Sequence, residues 1–111
     1  MFVCKLKAKI WLEIDSKCLI GEGRAELLEN IRNLKSISKA AKSMDMSYSH
    51  AWSEVRRIAE AAGGSVVNTC CGGRDGGWSE LTDLGEDILE RFNQEKKEIE
   101  RFLVKRNNND D

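Results

Sequence analysis

Residues 36–62 read SISKAAKSMDMSYSHAWSEVRRIAEAA, and the spacing of the apolar side chains in this stretch decides the fold. Ile37, Ala40, Ala41 and Met44 recur every three or four residues, and so do Ala51, Val55, Ile58 and Ala62. That period predicts two amphipathic helices, over about 36–44 and 47–62. Ser36 and Ser38 are candidate N-caps for the first and Ser47 is one for the second, because a hydroxyl can accept from the N–H groups that an opening helix leaves unpartnered. Asp45-Met46-Ser47 makes the turn, and Gly63-Gly64 ends the second helix. Small side chains at Ala40, Ala41 and Ala51 let the two backbones approach closely.

Two short helices joined by a tight turn are the elements of a helix-turn-helix unit, whose second helix lies in the major groove of DNA. An ordinary three-helix core fits this pattern equally well. On a helical wheel Ser49, Ser53, Arg56 and Glu60 fall opposite the apolar stripe, with His50, Trp52 and Arg57 on its flanks. Serine hydroxyls can contact phosphate or base edges, and arginine can grip guanine through two hydrogen bonds. The helix start at Ser47 also presents free N–H groups to a phosphate. Tyr48 and Trp52 can stack on DNA or pack against the stripe; for Trp52, beside the stripe, packing is the favoured reading. His50 is the single histidine, and one histidine alone does not suggest a metal site.

Working outward, Leu27, Leu28, Ile31 and Leu34 mark a helix over about 22–34, and residues 16–23 read as a connection. From Lys5 to Asp15 apolar and polar residues alternate, which predicts a half-buried strand within 3–15. Beyond Gly64, residues 65–69 and 78–81 suit two short strands around the Gly-rich stretch 72–77. The expected result is a hairpin, or wing, over 65–81, paired with the N-terminal strand. At its tip Gly73 and Gly76 let the backbone come close to a sugar-phosphate edge, and Arg74 reaches a phosphate or the minor groove, with Asp75 opposing it. Thr82 or Asp83 caps a long helix over 82–106, and residues 107–111 are expected to fray. The expected fold is mainly α with a small β-sheet, a winged helix-turn-helix over 1–81 followed by a long C-terminal dimerisation helix. Its apolar side holds Leu84, Ile88, Leu89, Phe92, Ile99, Phe102 and Leu103, which a second copy of the chain would cover.

Composition narrows the function classes. The chain has 111 residues and a net charge of −1, but the charge is uneven. Residues 1–81 hold 12 Lys and Arg against 10 Asp and Glu, a net of +2, whereas residues 82–111 hold 6 against 9, a net of −3. A weakly basic body with an acidic end permits a nucleic-acid partner without demanding one. No apolar run reaches the ~20 residues of a membrane span, and Lys5, Lys7 and Lys9 interrupt any leader-like core, so a cytoplasmic protein is expected. Four cysteines with no CxxC pair do not form a disulfide framework. The adjacent Cys70 and Cys71 fit two small residues at a strand end; a soft-metal or redox site at the wing base is the alternative. No nucleophile motif and no histidine-centred cluster is present, and residues 72–77 lack the Lys-Ser/Thr that completes a phosphate-binding P-loop. Neither catalysis nor a cofactor is expected.

Three motifs carry a resemblance to a known family: Gly21 to Ile31, then Ser36-Ile37-Ser38-Lys39-Ala40-Ala41-Lys42, then Met46-Ser47-Tyr48-Ser49-His50-Ala51-Trp52. With Gly72-Gly73-Arg74-Asp75-Gly76-Gly77 and Leu81-Thr82-Asp83-Leu84-Gly85, they resemble the N-terminal DNA-binding domain of ModE-type molybdate-responsive regulators. The resemblance runs from about Lys9 to Phe92. It implies a winged helix-turn-helix that dimerises through its terminal elements and binds a two-fold symmetric operator in double-stranded DNA. It puts the groove-facing helix on Ser47 to Arg57 and the wing on Gly72 to Gly77. In the expected complex Lys39, Lys42 and Arg74 hold phosphates, while Ser49, Ser53, Arg56 and His50 read bases. The chain looks like a stand-alone form without the family's molybdate-binding domains, so any effector, or effector-binding protein, is a separate partner. The rival readings are a thiol-based metal or redox sensor and a winged helix that binds protein instead of DNA.

Overall fold

The computed structural model describes residues 2–70 and 78–108. The chain opens, after an extended segment, with β1 (Trp11–Ile14) and β2 (Lys17–Gly21), followed by α1 (Glu22–Leu34), α2 (Ile37–Ser43) and α3 (Tyr48–Ala62). Then come β3 (Val67–Cys70), β4 (Trp78–Leu81) and α4 (Asp83–Asn108). The fold is mainly α with two small antiparallel sheets, β1-β2 and β3-β4.

The N-terminal strand is shorter than its alternation predicts, and it has a different partner. Only Trp11–Ile14 is strand, paired with β2 and not with the later hairpin. Segment 16–23, expected to be a connection, supplies β2 instead. The turn between them is Asp15-Ser16, and both residues are left-handed, with φ of 50° and 68°. That geometry suits the twist of a two-residue hairpin loop. β2 is five residues long, and among the described residues no strand pairs with residues 2–10. Leu6 and Ile14, expected on the buried side, are exposed.

The hairpin carries a bulge. Leu12 faces Ile20 and Glu13 faces Cys18, so Leu19 has no cross-strand partner. An extra residue breaks the two-residue alternation of a strand, and here it lets the neighbours Leu19 and Ile20 both enter the core. There they join Leu27, Leu28 and Ile31 of α1, Ile58 of α3, and Leu89 and Phe92 of α4.

α4 is seated by a close backbone approach. The Thr82 N–H donates to Val66 O at 3.0 Å, and its hydroxyl donates to Ser65 O at 2.7 Å while accepting from the Gly85 N–H at 3.0 Å. Gly85 passes so near the strand that a Cβ on it would lie 2.2 Å from Val66 O. At the other end of the same hairpin, the Ser79 N–H donates to Lys35 O at 2.9 Å, tying β4 to the C-terminus of α1. Arg32 bridges to Glu86 and Lys96 to Glu22, which adds two ionic ties between α1 and α4.

This seating corrects part of the expected dimer face. Ile88 and Phe92 are buried in the chain's own core, at 7% and 1% exposure, and Leu84 is half-buried against it. α1 and β2 cover this part of the stripe, so it needs no second subunit. Past Phe92 no residue of α4 is fully buried. Ile99 and Leu103 are half-buried and Phe102 is exposed. Residues 107 and 108, placed in the fraying tail by sequence, are helical. The Leu6 N–H donates to Asn107 Oδ1 at 2.9 Å, and Asn107 Nδ2 donates to Leu6 O at 3.2 Å. This reciprocal pair holds the N-terminal segment beside the last turn of α4.

Candidate nucleic-acid interface

Two serine caps set the local geometry. Ser36 Oγ accepts from the Lys39 N–H at 3.1 Å and starts α2, and Ser47 Oγ accepts from the His50 N–H at 3.1 Å and starts α3. Of the two candidate caps for α2, Ser36 is therefore the one used, and Ser38 points to solvent. Each such cap contributes roughly 1 kcal/mol. Asp45, left-handed at φ 52°, turns the chain between the helices, and the Met46 N–H closes back onto Ala41 O.

Ala51, Val55 and Ile58 are buried, which turns the opposite side of α3 outward. Ser47, Tyr48, Ser49, His50, Arg56 and Arg57 are exposed on it, and Ser53 is half-buried. Trp52 is half-buried against the core, with its ring edge-on to Tyr48 at 6.3 Å between centroids. The packing reading of Trp52 agrees with this placement. Lys39 and Lys42 are exposed on α2 and Ser36 is half-buried there. Gly73, Arg74, Gly76 and Cys71 lie outside the described residues. Cys4, Cys18 and Cys70 are exposed free thiols, and among the described residues no group of three or more His, Cys, Asp and Glu side chains could hold a metal.

Two residues beside this face were missed from sequence. Glu54, with a side chain only 17% exposed, receives Arg24 Nε on Oε2 at 2.7 Å. Its Oε1 receives Arg57 Nη1 at 3.2 Å and lies 3.5 Å from His50 Nε2. Arg24 is fixed in turn, because its Nη1 donates to Cys18 O at 2.9 Å and Leu19 O at 3.2 Å. Burial pushes the Glu54 carboxyl up, but the hydrogen bond and charge of Arg24, aided by Arg57 and His50, outweigh it and hold it below its ordinary value. Helical spacing of Glu54 from His50 and Arg57 hints at the local pairs. The pairing with Arg24, thirty residues away, leaves no mark in the sequence.

No family model matches the chain. Over 92 residues it is 33% identical to the molybdenum transport protein ModE of Azotobacter vinelandii, which covers 83% of this chain and 34% of that protein. Over 73 residues it is 34% identical to the molybdenum-pterin-binding protein MopB of Rhodobacter capsulatus, covering 66% of this chain and 27% of the relative. It is a ModE-type domain. The DNA-binding transcriptional dual regulator ModE of Escherichia coli K12 is 28% identical over 81 residues, 73% of this chain and 31% of that one. The ModE-type domain thus spans about a third of the length of the curated relatives it matches. Among its described residues no helix is long and apolar enough to cross a membrane.

Proposed function

We propose that this chain is a DNA-binding transcription regulator that acts as a homodimer on a palindromic operator through a winged helix-turn-helix. The observation that carries the reading is the outward side of α3, where Ser49, His50, Arg56 and Arg57 stand exposed above a helix pair anchored by Ala51, Val55 and Ile58. Ser49, Ser53, Arg56 and His50 read base edges in the major groove, while Lys39 and Lys42 of α2 hold phosphates beside it. The β3-β4 hairpin serves as the wing and brings Arg74 to the backbone. Two copies pair through the part of α4 that the core leaves uncovered, around Ile99, Phe102 and Leu103. The two α3 helices then enter successive major grooves about 34 Å apart. The names of the relatives support molybdenum handling as the regulated process.

Selection from a palindrome library, followed by fluorescence anisotropy on the recovered duplex, tests this reading. Binding weakens steeply with salt if phosphates supply the non-specific part. Arg56→Ala costs on the order of 1–3 kcal/mol on the recovered sequence and little on random duplex if it reads a base. Equal losses on both make Arg56 a phosphate contact instead. A protein that recovers no sequence and binds no duplex refutes the proposal.

A further inference from the structure

A carboxylate at the half-buried flank of α3, paired with an exposed arginine of the side proposed to meet DNA, needs a reason. Glu54 lies on α3 between His50 and Arg57, and it repels the same polyanion that Arg57 attracts. It cannot swing clear, because Oε2 is held at 2.7 Å by Arg24, whose side chain is 18% exposed and whose guanidinium is pinned to the carbonyls of Cys18 and Leu19. Only Oε1 faces the exposed side chains, with Arg57 Nη1 at 3.2 Å and His50 Nε2 at 3.5 Å. Arg57 and His50 are themselves open to solvent, at 61% and 58% side-chain exposure. The carboxylate is therefore fixed from behind, and the side chains in front of it are free to leave.

Resting on the reading of α3 as the groove-facing helix, we propose that Glu54 is a positioning and selectivity residue that parks Arg57, with His50 beside it, and withholds Arg57 from phosphates at random. A cation held by a fixed carboxylate must exchange one acceptor for another before it touches DNA. On random duplex that exchange brings a phosphate toward Glu54 and gains little. On the recognised sequence, base contacts elsewhere on α3 fix the helix in register, so Arg57 leaves Glu54 for a phosphate in a set position. Arg24 still neutralises the carboxylate after Arg57 has gone. Glu54 itself touches no base; it acts through its two neighbours. Like-charge penalties of this kind raise specificity by weakening the wrong complex.

The experiment uses the full chain, with fluorescence anisotropy over a salt series on random duplex and on a duplex selected from a palindrome library. Wild type, Glu54→Gln, Arg57→Gln and the double variant are compared, with circular dichroism melts confirming that each is folded. Glu54→Gln is expected to bind random duplex more tightly, with a log–log salt slope steeper by about 0.9, the value of one added phosphate contact. Its preference for the selected duplex falls by the same factor by which binding to random duplex tightens, because the selected complex already uses Arg57. In the Arg57→Gln background most of both effects disappears, because the parked cation is absent. Unchanged slope and preference, or equal weakening on both duplexes, would overturn the proposal and leave Glu54 as a tie between α3 and β2. If Glu54→Gln does not fold, Glu54→Asp takes its place; it keeps the charge but draws it back from Arg57, and the slope must again steepen. Wild-type protein that binds neither duplex removes the groove-facing reading and this inference together, a result distinct from the others.

Discussion

Gly85→Ala separates the packing described here from plain helix propensity, because the two predict opposite signs. Propensity alone favours alanine over a helical glycine by up to about 1 kcal/mol. The structure says otherwise. A Cβ on Gly85 would sit 2.2 Å from Val66 O and 3.1 Å from Val66 C, backbone atoms that cannot rotate away. Restoring even a 3.0 Å separation means withdrawing the start of α4 by at least 0.8 Å. That strain costs about 1–3 kcal/mol. It also loosens the Thr82 bonds to Ser65 O and Val66 O, each worth about 1 kcal/mol. After the propensity gain, a net loss of about 2–3 kcal/mol is expected. In urea, followed by far-ultraviolet circular dichroism, this lowers the midpoint by about 1–2 M with the slope unchanged. Gly23→Ala is the control: its Cβ meets nothing within 4 Å, so it should stabilise by about 0.5–1 kcal/mol. A Gly85→Ala midpoint at or above wild type, with Gly23→Ala also raised, would refute the close-approach argument.

Two further predictions concern the hairpin and the ionic cluster. Ser16 holds φ 68°, a conformation that costs a non-glycine residue about 1–2 kcal/mol; Ser16→Gly relieves it, less an unfolded-state cost of about 0.5–1 kcal/mol. A rise of roughly 0.5 kcal/mol in thermal unfolding is expected, and a fall would contradict the left-handed turn. Glu54 has a folded pKa below its ordinary 4.5, so its contribution to stability is complete above that value and is lost as pH falls through the folded pKa. Melting temperatures of wild type and Glu54→Gln, measured from pH 7 down to pH 3, should therefore converge below pH 4.5. Parallel curves would show that the carboxylate adds nothing.

The helices were legible because their sides are chemically distinct. Leu27, Leu28 and Ile31, then Ala51, Val55 and Ile58, repeat at the helical period and are buried as that period demands. The same argument placed Ser49, Arg56 and Glu60 outward, since a helix that buries one side exposes the other. β2 was illegible for two reasons. Asp15-Ser16 lacks the Asn-Gly or Asp-Gly signature of a two-residue turn, and the bulge at Leu19 erases alternation from a strand only five residues long. The stripe on α4 was legible as a stripe, but periodicity does not say what covers it. Ile88 and Phe92 turned out to meet the chain's own α1 and β2, whereas Phe102 stays open. Arg24 and Glu54 each look like ordinary surface charges until the fold brings them together.

By letting Leu19 slip out of step, β2 aims two adjacent side chains at the interior and leaves the carbonyls of Cys18 and Leu19 for Arg24. Through Arg24 that one irregularity also reaches α3. Removing a residue from β2 would restore an even zigzag and, in the same stroke, disturb the carbonyls that hold Arg24 against Glu54 of the exposed helix. The small hairpin and the helix it steadies are thus bound to drift together over evolutionary time: an insertion or deletion tolerated by one has to be tolerated by the other.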